Sequence, residues 1–176
     1  MTDTAGRRFK EANYYGQGQN THPHGGTPDW LIAYIEKKYA NGKPIFDPCP
    51  NNPTFDGLAI DWPKHKLAFV NPPYTRGVIQ NWVEYAHEQA ARGVTVVMLI
   101  PPYTCTAYFA KYLGNMHLVL IEGRLKFKGY DGKSAAFPSI LCILGGRPNH
   151  PPRPGAFSIL TKGEREAFIE SWGGEE

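Results

Sequence analysis

Cysteine is scarce in this chain: Cys49, Cys105 and Cys142 are the three among 176 residues. They are widely spaced and odd in number, so they offer neither a metal-ligand pair nor a disulfide framework. A reduced, cytoplasmic protein is therefore expected. No apolar run reaches the roughly 18 residues of a membrane span, and no basic-then-apolar leader opens the chain. Neither sign of charge dominates. A net charge of +3 and a pI of about 8.7 permit nucleic-acid binding without demanding it. His22 and His24 lack a third ligand nearby, so His-Pro-His-Gly reads as a loop and no metal is expected. No internal repeat is present.

Glycine and proline, by contrast, are plentiful at 19 and 16, which implies many turns and ordered loops. A composition 41% hydrophobic and 20% charged is that of a globular protein, and 176 residues suit one domain. Residues 1–26 read as a polar arm. Thr27-Pro28-Asp29 reads as a helix start, with Thr27 as N-cap, and the helix should end near Asn41-Gly42. Pro44 to Asp47 should be a short strand, and Leu67 to Val70 another. A helix is expected from about Val78 to Arg92, its apolar face marked by Ile79, Trp82, Val83, Ala86 and Ala90.

Val94 to Ile100 is a continuous apolar run, as in a central parallel strand covered on both faces. Tyr103 to Leu113 reads as a helix and Met116 to Ile121 as a strand. Arg124 to Lys128 and Pro138 to Leu144 read as a final antiparallel pair. Beyond residue 146, a proline-rich linker should precede a short helix from Glu164 to Trp172. The alternation of strands and helices predicts an α/β protein with a mainly parallel sheet and right-handed crossovers.

The segment LAFVNPPY, Leu67 to Tyr74, is the most informative. Two prolines stop the strand, so Asn71-Pro72-Pro73-Tyr74 forms a stiff turn at its C-terminal edge. Open α/β sheets bind ligands at that edge. A carboxamide, rigid carbonyls and an aromatic ring together suit a planar –NH2 group. The Asn71 oxygen and the Pro72 carbonyl would accept its two hydrogens, and Tyr74 would stack on the ring that bears it. Pro-Pro-Tyr also resembles a docking peptide for proline-binding modules, a reading the buried strand before it opposes.

In order along the chain, Thr27-Pro28, Asp47-Pro48, Asp56-Gly57-Leu58 with Asp61-Trp62, Asn71-Pro72-Pro73-Tyr74, Trp82, Pro101 and Gly123-Arg124-Leu125 with Phe127 form an ordered set. Over roughly residues 27–145 the chain resembles the phage-type adenine-specific DNA methyltransferases. The resemblance implies a Rossmann-like methyltransferase domain over 27–146, S-adenosylmethionine as cofactor, and double-stranded DNA as substrate. It implies a phage product, working in the host cytoplasm, that shields DNA from host nucleases.

By the same resemblance, Thr27 and Pro28 would contact the methionine end of the cofactor. Asp47 and Pro48 would fill the first cofactor motif. Asp56 or Asp61 would hold the ribose hydroxyls, a choice the sequence leaves open. The chain departs from the wider methyltransferase pattern in having Asp-Pro-Cys-Pro where a Gly-x-Gly loop is usual.

The target adenine must leave the duplex to be reached. Tyr74 would form one wall of its pocket and Phe127 the other, unless Phe127 is a core residue. Arg76, Arg124, Lys126, Lys128 and Lys133 are candidate phosphate contacts. The Asn-Pro-Pro-Tyr turn is shared with release-factor glutamine methyltransferases, because a glutamine amide presents the same planar –NH2. An RNA adenine and a non-catalytic DNA-binding scaffold complete the alternatives.

Overall fold

The computed structural model describes residues 25–129, 131–145 and 155–174. Residues 1–24 of the expected 1–26 arm and 147–154 of the proline-rich linker lie outside the described residues. Among the described residues the elements are α1 (Asp29–Tyr39), β1 (Leu67–Val70), α2 (Ile79–Ala91), β2 (Thr95–Ile100), a π-helical turn (Phe109–Leu113), β3 (His117–Ile121), β4 (Ile140–Leu144), β5 (Phe157–Leu160) and α3 (Lys162–Trp172).

The strands lie in the order β1-β2-β4-β3-β5. β1 is parallel to β2, and β3 to β5, while β4 runs antiparallel to both of its neighbours. Four of these five strands therefore point one way, and their C-terminal ends share one edge. The α/β class and the mainly parallel sheet agree with the sequence reading. β1 and β4 are apolar at every position, and β2 at every position but Thr95, because they are covered twice. Trp30, Leu31 and Ile35 of α1 pack on Leu67, Phe69, Val97, Leu99 and Leu141. Ile79, Trp82, Val83 and Ala86 of α2 pack on the alternate residues Ala68, Val70, Val96, Met98 and Cys142. Burying such side chains is worth about 1.5–3 kcal/mol each, so this double cover dominates local propensity.

Two helix ends follow the sequence closely. Asn41 and Gly42 adopt φ of 54° and 72°, and the Gly42 N–H donates to the Glu36 carbonyl at 2.8 Å. Thr161 and Glu164 form a reciprocal capping box at the start of α3.

Four expectations need correction. Arg124–Lys128 is not a sheet strand; among the described residues its one bridge is an isolated pairing of Lys128 with Gly26. Its alternating basic and apolar residues can bury one face only, whereas the place beside β3 takes the fully apolar β4 (ILCIL). The antiparallel pairing therefore belongs to β4 with β2 and β3. The N-cap of α1 is Pro28 and not Thr27, with no side-chain capping bond. The helix over Tyr103–Leu113 shrinks to the π-helical turn. The Thr106 hydroxyl donates to the Tyr103 carbonyl at 2.7 Å, a local bond that competes with helix. Finally β5, a short strand between a proline-rich stretch and a helix, is absent from the sequence reading.

Candidate active site

The edge where the parallel strands end gathers the chemistry. Phe46 pairs with β1 through two backbone bonds, from its N–H to the Leu67 carbonyl (2.8 Å) and from the Phe69 N–H to its own carbonyl (2.9 Å). Asp47 thus leaves the sheet at the same edge as Asn71. Its Oδ1 accepts the Cys49 N–H at 2.8 Å, closing the Asp-Pro-Cys turn. The Asp56-Gly57-Leu58 turn lies directly on that one. A Cβ at Gly57 would stand 1.8 Å from the Pro48 carbonyl oxygen, so only glycine permits the approach. The Trp62 indole N–H fixes the turn from behind by donating to the Gly57 carbonyl at 2.8 Å.

Asn71 is 7% exposed and Tyr74 8%. The Tyr74 hydroxyl lies 2.7 Å from Asn71 Oδ1 and donates to it, and it also lies 3.2 Å from the Leu99 carbonyl. Burial pushes the Tyr74 phenol well above its ordinary range, so it keeps its proton. Asn71 Nδ2 donates to Thr27 Oγ1 at 3.1 Å, across 44 positions of sequence. That bond accounts for the hydroxyl that does not cap α1. Thr27, Asn71 and Tyr74 form one chain of side chains, with the carboxamide held at both ends. The Tyr74 ring meets Phe137 edge-on, with centroids 5.4 Å apart, and Phe127 lies 6.2 Å from Phe137.

Thr27, Asp47, Cys49, Asn51, Asn71 and Lys128 line a cleft of about 150 Å³. A cavity of that size takes up a benzene ring, so it seats a fragment of a larger ligand. Asp47 is exposed at the mouth of the cleft, yet protein packed on its inner side partly desolvates the carboxylate. This desolvation raises its pKa to about 6, and the Cys49 N–H pulls partly the other way. Among the described residues no cation pairs with Asp47. A cationic ligand would relieve that cost, so the donor set fits the sulfonium and ammonium of a cofactor such as S-adenosylmethionine.

The remaining candidates are spread more widely. Asp56 accepts the Leu58 N–H at 2.9 Å within its own turn. Asp61 points away from the cleft to α2, where it pairs with Arg92. Phe127 is buried in the core beneath α1, the alternative its sequence position had left open. Lys128 pairs with Asp29 at the rim of the cleft. Arg76, Arg124, Lys126 and Lys133 are exposed. Pro72 and Pro73 are buried beside Asn71, as are Pro28 and Pro48 beside Thr27 and Asp47. Phe137, which the sequence reading passes over, joins the two aromatic candidates. Its signal is modest, a lone aromatic just before the apolar run of β4. Among the described residues, no group of three potential metal ligands exists and no helix is long and apolar enough to cross a membrane.

A family model described as DNA N-6-adenine-methyltransferase (Dam) matches residues 20–144. A DNA N-6-adenine-methyltransferase of Escherichia phage T1 is 28% identical over 155 residues, 82% of this chain and 62% of that protein. The chain thus spans less than two thirds of that relative's length. A solved structure from Listeria monocytogenes, provisionally described as a class I S-adenosylmethionine-dependent methyltransferase, overlaps 94% of this chain and 76% of its own, at 15% identity and a TM-score of 0.49.

Proposed function

The chain belongs to the DNA N-6-adenine-methyltransferase (Dam) family, and we propose that it transfers a methyl group from S-adenosylmethionine to the N6 amine of adenine in double-stranded DNA. The observation that carries this reading is Asn71. It is a buried carboxamide, held at both ends by hydroxyl groups, on a cleft that also holds Asp47, an acid with no cation beside it among the described residues.

An sp² oxygen accepts two hydrogen bonds. Tyr74 uses one site on Asn71 Oδ1, and the other serves the incoming amine. The Pro72 carbonyl is the second acceptor. Two acceptors draw the amine lone pair out of the ring and stabilise the positive charge that builds on nitrogen. Aimed hydrogen bonds of this kind are worth about 3–4 kcal/mol of barrier each. No general base is needed before transfer, because the methylated nitrogen turns acidic and sheds its proton afterwards.

S-adenosylmethionine supplies a methyl group already activated by its sulfonium. Asp47 would hold its cationic end, with Thr27, Pro28 and Pro48 shaping the wall. The base would leave the duplex to reach Asn71. Tyr74 borders its place, and full stacking calls for a shift of Phe137. Asp56 is the nearer choice for the ribose, because its turn rests on Pro48 whereas Asp61 is engaged with Arg92. Arg76, Lys128 and Lys133 would meet phosphates. The biological role we assign is protection of phage DNA from host nucleases in the host cytoplasm.

The test is transfer of labelled methyl groups to unmodified duplex DNA, with single-stranded DNA, RNA and glutamine-bearing protein in parallel, followed by nucleoside mass spectrometry. N6-methyladenine in duplex DNA is the expected product. Label confined to RNA or protein would overturn the reading.

A further inference from the structure

We propose that α3 and the Arg124–Lys128 segment together form a groove for the DNA backbone beside the target base. This rests on the DNA substrate argued above, and it assigns a partner to a helix that lies beyond the residues matched by the family.

Arg124 and Lys126 on one side and Lys162, Arg165, Glu166 and Glu170 of α3 on the other line one open cleft of about 530 Å³. Cations outnumber acids there by four to two. The segment from 124 to 128 is strand-like outside any sheet. Leu125 and Phe127 are buried, which turns Arg124, Lys126 and Lys128 outward. Extended chain advances about 3.3 Å per residue, so the outward cations stand about 6–7 Å apart. Lys128, paired with Asp29 at the surface, lines the Asn71 cleft and Arg124 and Lys126 line the larger one, so a row of basic side chains joins the two. A row that leads away from a reaction centre suits a linear polyanion better than a small anion.

The helix is fixed in place to do this. The Arg165 guanidinium lies over the Trp30 ring, 5.8 Å from its centroid, and Phe168 meets Tyr34 edge-on at 5.5 Å. The Lys162 N–H donates to Glu122 at 2.8 Å, which ties the start of α3 to the end of β3. Both β3 and β5 deliver their following residues to the edge that carries Asn71. The α3 capping box already satisfies the first turn, so attraction falls to the side chains. Lys162 lies 3.6 Å from Glu166, an exposed contact that a phosphate can displace.

The experiment measures binding of the full chain to a short duplex by fluorescence anisotropy across a salt series. It compares the wild type with Lys126→Gln, Lys162→Gln and the pair, each checked by thermal unfolding. Each phosphate contact adds about 0.9 to the slope of log K against log salt. Each single variant should therefore flatten the slope by about 0.9, and the pair by about 1.8. Unchanged slopes would overturn the proposal, as would a change confined to Lys126→Gln, which would leave α3 out. A wild type with the full slope that transfers no methyl group to DNA would sink the catalytic reading while supporting the groove.

Discussion

Asn71 has one end that accepts and one that donates, and only the accepting end can take an amine hydrogen. Tyr74 bonds the accepting end and Thr27 the donating end. Tyr74→Phe removes the hydroxyl and keeps the ring. A hydrogen bond of this kind is worth about 0.5–1.5 kcal/mol net, so kcat should fall about 2- to 12-fold in a steady-state methylation assay. Tyr74→Ala also opens a cavity beside Phe137 and should cost about 3–5 kcal/mol in denaturant unfolding, with a much larger loss of activity. Equal activity losses would mean that the ring contributes nothing.

Asp47 gives a pH signature. Its pKa of about 6 lies above the ordinary 3.8, so between those values the unfolded chain loses the proton first. The stability contributed by this group is therefore full below about pH 4 and is lost as pH rises through about 6. Binding of a cation runs the other way. S-adenosylmethionine affinity, measured by calorimetry, should rise as pH passes upward through about 6 and should lose that step in Asp47→Asn.

At the scale of elements, the two stacked turns beneath the cleft are the most constrained feature. Gly57→Ala places a methyl group against the Pro48 carbonyl. Overpacking of this sort costs about 1–3 kcal/mol, so thermal unfolding should drop and cofactor affinity with it. Strands apolar at every position, and helices with clear stops at Asn41-Gly42 and Gly93, are legible because local pattern and tertiary cover agree. Arg124–Lys128 misleads for a physical reason. Its alternation reports that one face is buried, and an extended segment lying on a core does that without sheet hydrogen bonds. β5 is illegible because four residues with two exposed apolar side chains, Phe157 and Ile159, carry no two-sided pattern. Its place is set by β3.

Across the whole molecule, parallel strand direction brings Asp47, Asn71, Glu122 and Thr161 to one edge from four separate parts of the chain. The sequence shows that Asn71 ends a strand, and with that its place at the C-terminal edge of the sheet. It does not show the Thr27 bond, because a threonine before a proline and a helix reads as a cap. Nor does it show that Asp61 turns toward Arg92, since two acids five residues apart look equivalent until the fold separates them.

The catalytic reading turns on Asn71 as the acceptor that activates the amine. The direct measurement is single-turnover methyl transfer to duplex DNA by wild type and Asn71→Ala, with S-adenosylmethionine affinity measured in parallel. The account predicts a rate at least about 10²–10³-fold lower with cofactor affinity largely kept. A variant that methylates adenine at the wild-type rate would contradict it.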